Sequence, residues 1–186
     1  MRDLYFIPEC FVDTALVESV LETDGVNHQK GCFAVSGVME NKFVDSFAVG
    51  VVDFDKRRPA YLNVFFEIAS STHLLLVKHK IKSHYVIFVK PAMDGFILSC
   101  VDELGLKMED FGLPSDLKAF TRETKTITMQ DDKRFRNLFH HLINASEIRI
   151  FNNVLNYLKV KKYTAVVDDL KRMMTNSDCC FNNHEL

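Results

Sequence analysis

Residues 49–56 read VGVVDFDK. An apolar run ends in Asp53 and Asp55, one residue apart, and is followed by Lys56, Arg57 and Arg58. Strand alternation puts the two aspartates on one side of the chain with Phe54 opposed, about 6–7 Å apart. Two meanings fit such a tip. One is a solvated turn or helix cap; the other is a pair of carboxylates that reach one hard cation.

The run itself lacks polar alternation, as expected of a strand covered on both faces in a parallel sheet. Upstream, residues 3–8 (DLYFIP) read as a short buried strand ending at a proline, and residues 13–22 as a helix with Asp13 or Thr14 as cap. TDGVNHQKG is a turn-rich link. Residues 31–38 (GCFAVSGV) read as a second buried strand, and the amphipathic MENKFVDS leads into FAVGVVDFD as the third. This alternation predicts an α/β fold with a mainly parallel sheet flanked by helices.

Downstream, YLNVFFEIA reads as an amphipathic helix. HLLLVKHK and HYVIFVK read as two strands joined by a tight connection, and AMDGFILSCVDELGL as a helix after Pro91. From residue 113 the chain turns helical: SDLKAFTRE, DDKRFRNLFHHLINA, SEIRIFNNVLNYLKVK and YTAVVDDLKRMM, with Asp131 or Asp132 and Ser146 as caps. The organisation predicted is an α/β domain over 1–112, a helical C-terminal portion over 113–175 that packs on it or forms a small subdomain, and a polar tail over 176–186.

The 186 residues, 47% of them hydrophobic, suffice for one well-filled core. No apolar stretch has the length of a membrane span, and MRDLYFIPEC lacks the pattern of a secretory signal. Five cysteines (Cys10, Cys32, Cys100, Cys179, Cys180) without CxxC spacing argue against a disulfide framework and a structural zinc site. A reducing cytoplasm is the setting expected. The net charge of −2 argues against a long non-specific grip on nucleic acid. It is compatible with an enzyme that touches few phosphates and lets a bound metal supply positive charge.

In a parallel α/β sheet, function gathers at the carboxyl ends of the strands. Three such ends carry acids: Glu9 after Ile7-Pro8, Asp53 and Asp55, and Asp94 after Lys90-Pro91. Glu9 on a neighbouring strand either completes a cation site or serves as general acid or base. Lys90 reads as a transition-state cation or a plain salt-bridge partner. Lys56, Arg57 and Arg58 read as a solvated run or as phosphate contacts. His73, His79, His84 and the adjacent His140 and His141 lack ligand spacing and read as structural. Phe135, Phe139 and Phe151 read as core, and Cys10 as a small buried residue.

LYFIPECFVDTAL resembles the first motif of the Toprim fold: an apolar strand, then Glu, usually Gly, two residues, and Asp opening a helix. Glu9 and Asp13 occupy the two acidic positions. VGVVDFDK is similar to the Toprim DxD motif that closes the third strand. KPAMDGFIL is similar to a proline-acid-aromatic segment of Toprim-like nucleases in bacterial and phage defence, relatives of the overcoming-lysogenization-defect type. The resemblance covers about residues 3–105. Cys10 stands at the usual Gly position, Asp94 where Glu is commoner and Phe96 where Trp is. The resemblance implies a Mg²⁺- or Mn²⁺-dependent nuclease or related phosphoryl-transfer enzyme acting on nucleic acid. Glu9 would move protons, Glu9, Asp53 and Asp55 would hold metal, and Asp94 and Lys90 would assist. A Toprim-shaped module that works through a protein partner without catalysis, and a subunit of a homo-oligomer, are the alternative readings. No P-loop GxxxxGK[ST] is present.

Overall fold

The strand tips just described belong to one five-stranded sheet with helices on both faces. The computed structural model describes residues 2–54, 57–126 and 132–175; Asp55, Lys56, Asp131 and the tail over 176–186 lie outside the described residues. The chain runs through β1 (Phe6–Pro8), α1 (Phe11–Leu21), α2 (Cys32–Asn41), β2 (Ala48–Asp53), β3 (Phe65–Ser70), β4 (Leu74–His79) and β5 (His84–Val89). It continues through α3 (Met93–Glu103), α4 (Leu117–Thr124), α5 (Lys133–Leu142), α6 (Ser146–Lys161) and α7 (Val167–Thr175). The sheet order is β1-β2-β5-β4-β3. β1, β2 and β5 pair in parallel, whereas β4 and β3 are antiparallel. The fold is thus α/β, with a mixed rather than mainly parallel sheet, because the β3–β4–β5 meander turns back through short connections and parallel pairs cannot.

Three segments depart from expectation. Residues 31–38 form most of helix α2 instead of a strand. Cys32, Val35, Ser36 and Met39 are buried while Phe33 is 64% exposed. That spacing is helical, and an uninterrupted apolar run does not distinguish it from a buried strand. The link before it runs beside β1 without forming a strand. Asn27 N–H donates to Phe6 O (2.9 Å), Gln29 N–H to Pro8 O (2.9 Å) and Gly31 N–H to Glu9 O (3.1 Å). Residues 27–31 therefore run alongside β1, and Pro8, which has no N–H, cannot return a bond. Finally, YLNVFFEIA divides into a 3₁₀ turn (Ala60–Val64) and strand β3. Asp132 caps α5 through Arg134 N–H (2.8 Å). Ser146 is the first residue of α6, not its cap, and its N–H and hydroxyl both donate to Glu103.

Alternation along β2 sorts its residues between two cores. Val49 and Val51 join the large one, with residues of α1, α3, α5, α6 and α7. Ala48 and Val52 join a smaller one under α2. Asp53 follows Val49 and Val51 to the α1/α3 side, and Phe54 packs on the other, its ring 5.8 Å from Phe88 with Arg58 stacked 4.2 Å above it. An ion pair from the half-buried Lys159 to the buried Asp3, at 3.0 Å, ties α6 to the entry of β1. The helices from residue 117 onward thus share a core with the sheet. Among the described residues no helix is long and apolar enough to cross a membrane.

The histidines around the β3–β4–β5 meander are structural. His84 Nε2 faces two carbonyls, Phe43 O at 2.8 Å and Ser46 O at 2.9 Å, so it carries the proton, and Nδ1 accepts from Tyr61 OH at 2.6 Å. His79 Nδ1 accepts the N–H groups of Ile81 and Lys82.

Gly50 decides how closely α2 approaches the sheet. A Cβ there would sit 3.0 Å from Val35 Cγ1 and 3.2 Å from Met39 Sδ. Gly50→Val should lower stability by about 1–3 kcal/mol, the usual range for overpacking. Gly37, inside α2 with open space around it, should behave oppositely: Gly37→Ala should raise stability by up to about 1 kcal/mol through helix propensity. Urea unfolding of both variants checks the pair.

Candidate functional site

The parallel trio β1, β2 and β5 delivers its carboxyl ends to one place. Pro8 pairs with Val51, and Asp53 with Val89. Beyond the ladder, Glu9 N–H donates to Val51 O at 3.0 Å. Glu9 Oε2 then reaches across to accept the backbone N–H of Asp53 at 3.0 Å. Asp53 Oδ1 in turn accepts the N–H of Met93, the first residue of α3, at 2.9 Å. Both carboxylates therefore hold the strand tips together as well as facing the space above them. Asp94, in the first turn of α3, follows directly, and its Oδ1 is buried with no hydrogen-bond partner.

Glu9, Asp53 and Asp94 line one cleft of about 440 Å³. His28, Lys30 and Lys125 line it too. Two helices of eleven residues, α1 and α3, begin beside it, and helix N-termini favour anions. The cleft thus has acids at the strand tips and lysines among its walls, an arrangement suited to a phosphate ester with a cation beneath it.

Asp13 lies behind Glu9. It is 1% exposed, one carboxylate oxygen accepts Cys10 N–H at 3.2 Å, and the other has no partner. Burial pushes this carboxyl well up from its ordinary range, and the negative charges of Asp53 and Glu9 push it further. Burial, with Asp13 close by, likewise pushes up the Cys10 thiol, which removes it as a thiolate nucleophile.

His28 is the residue that the sequence did not single out. It lies in the turn-rich link and has no motif around it. Its ring stacks on Phe11 at 4.5 Å and 7°. The Thr14 hydroxyl donates to Cys10 O (2.7 Å), which leaves His28 Nδ1–H to donate to Thr14 Oγ1 (2.9 Å). The lone pair then belongs to Nε2, which is buried without a partner. Burial lowers the His28 pKa and favours this neutral form. Lys30 and Lys125 were also unmarked in the sequence, since single lysines carry no pattern.

The expected residues do not all meet. Lys90 does not line the cleft: its ammonium donates to Ser71 O at 3.1 Å, on the far side of the β5 tip. Asp55 lies outside the described residues. Among the described residues no three His, Cys, Asp or Glu side chains are arranged to hold a metal ion. No protein-family model, curated protein or solved structure matches the chain.

The raised Asp13 pKa has a definite sign. In the unfolded chain the group ionises near its ordinary value; in the folded chain it holds its proton to higher pH. Its burial therefore opposes folding above the folded pKa, and the penalty fades as pH falls toward about 4. Asp13→Asn, which keeps an acceptor for Cys10 N–H, should be more stable than the natural chain at neutral and alkaline pH, with the difference shrinking toward pH 4. Urea unfolding across pH measures it.

Proposed function

We propose that the chain is a divalent-metal-dependent nuclease, or a related phosphoryl-transfer enzyme acting on nucleic acid, of Toprim-like architecture. One observation carries this: Glu9, Asp53 and Asp94 converge on a single cleft at the ends of three adjacent parallel strands. β2 is the second strand of the chain, where the Toprim resemblance has its DxD close the third, so the strand count itself adds nothing to this reading. The defence setting rests on the resemblance of KPAMDGFIL alone.

Mg²⁺ or Mn²⁺ would be held by carboxylate oxygens of Glu9 and Asp53, the type of donor these cations take, with the unpartnered oxygen of Asp94 lining the same cleft. A bound divalent cation supplies charge that polarises the phosphate. Glu9, at the tip of β1, holds or releases the proton of the attacking or leaving group. Lys30 and Lys125 neutralise flanking phosphates from the cleft walls.

A non-catalytic module working through a protein partner is the second reading. It is favoured by the backbone hydrogen bonds that Glu9 and Asp53 accept, since these give both acids a structural task.

Glu9→Gln and Asp53→Asn separate the two, because each retains an acceptor for its backbone partner. Both variants should fold normally and lose at least about 100-fold in Mn²⁺-dependent cleavage of labelled DNA or RNA. Asp53→Asn should also weaken Mn²⁺ binding in calorimetry. Cleavage unchanged in both variants would sink the nuclease assignment, and a folded natural chain that binds no Mn²⁺ would leave the non-catalytic module.

A further inference from the structure

Helix α4 buries Phe120 and Thr124. Its opposite face carries Lys118, Arg122 and Lys125, all exposed. The spacing of four and then three residues puts them within about 60° around the axis and spreads them over about 10 Å along it. No ion pair to any of the three occurs among the described residues. The acids nearby are engaged elsewhere: Asp116 caps Ala119 N–H at 2.9 Å, Glu123 pairs with Arg134 at 2.9 Å, and Glu109 accepts from Ser115 Oγ at 2.6 Å. In a chain of net charge −2, this is a local excess of positive charge, three cations against Asp116 in one groove.

The stripe is continuous with the cleft. A depression of about 540 Å³ runs along α4, lined by Asp116, Leu117, Lys118, Thr121 and Arg122, and Lys125 lines both it and the cleft that holds Glu9, Asp53 and Asp94. Leu117 is 51% exposed there and offers an apolar contact between the charges.

We infer that α4 is the track for a single strand of nucleic acid, whose phosphates run over Lys118, Arg122 and Lys125 and lead the strand into the cleft. This rests on the nucleic-acid part of the function proposed above. The length of the stripe matches about three phosphates of a helically stacked strand, which rise ~3.4 Å each. The cleft volume is that of a pocket for one small-molecule-sized unit, which suits a nucleotide entering alone and not a duplex. Non-specific single-strand surfaces combine a positive groove along the backbone with aromatic rings that stack bases; here the cations lie along α4 and the ring, Phe11, on the cleft wall. An acidic peptide offers the same charge but no flat bases for Leu117 and the cleft wall at Phe11, and it is an outcome of the test.

The test is fluorescence anisotropy on the full chain with labelled oligothymidylates of about 3 and about 12 nucleotides, with Ca²⁺ in place of Mn²⁺. The natural chain should bind the longer strand more tightly. Lys118→Glu/Arg122→Glu should weaken the longer strand about 10-fold or more and leave the shorter within about twofold. Its log–log salt slope should fall by about 1.4, from ~0.7 per lost single-strand phosphate contact. Lys42→Glu/Lys80→Glu changes net charge equally at the opposite end of the sheet and should leave both affinities unaltered. Equal binding of the two lengths by the natural chain overturns the track, as does equal weakening of both by the α4 variant. Tighter binding of a duplex, or of an oligoglutamate, overturns the single-strand occupant. The two proposals fail separately: length-dependent binding without cleavage or Mn²⁺ affinity keeps the track and removes the nuclease, and cleavage with length-independent binding does the reverse.

Discussion

Asp53 is the joint of this molecule. Its backbone N–H is held by the carboxylate of Glu9 and its own carboxylate holds the first N–H of α3. Those two bonds fasten the tip of β1 to the tip of β2, and the tip of β2 to the helix that follows β5. A strand end and a helix start both leave backbone groups without intrinsic partners. Here the side chains that satisfy them are also those that face the cleft. Structural and chemical roles therefore share the same atoms, and the conservative amide variants are the ones that part them.

Charge is layered around that joint. Asp13, buried behind Glu9, is driven toward its neutral form by burial and by its acidic neighbours. Glu9, Asp53 and Asp94 come next, lining the cleft. Lys30 and Lys125 stand on its walls, and the Lys118–Arg122–Lys125 face of α4 continues outward. A near-neutral total hides this separation, because net charge sums over the whole surface while a phosphate meets only a few groups at a time. His28, neutral and with its lone pair at Nε2, adds a nitrogen to the cleft that composition does not reveal.

Much of the scaffold is legible in the sequence where local and global preferences agree. β1, β2, β4, β5, α1, α3 and all four C-terminal helices lie where apolar periodicity and flanking Pro, Asp and Ser residues put them. The misread segments are those in which one-dimensional pattern is degenerate. GCFAVSGV has the composition of a buried strand, but Gly50 on β2 opens room for a helix to lie close. YLNVFFEIA has helical spacing, yet its second half completes the sheet edge beside β4. The link VNHQ, which runs beside β1 on the side away from β2, is polar and carries no hydrophobic pattern to mark it.

For the site, the sequence by itself determined which residues could do chemistry: acids placed after apolar strands, each at a point where the chain must turn. Their identity follows from local pattern because a strand terminates where its apolar run does. Only the tertiary structure decided which of them meet. Strand order and parallel pairing set β1 beside β2 and β2 beside β5, which brings Glu9, Asp53 and Asp94 together across 85 residues of chain. The same pairing turned Lys90 toward Ser71 and away from the cleft. It also supplied His28, Lys30 and Lys125 from segments with no motif. Proximity in space is a property of how layers pack, and a single chain read in order does not contain it.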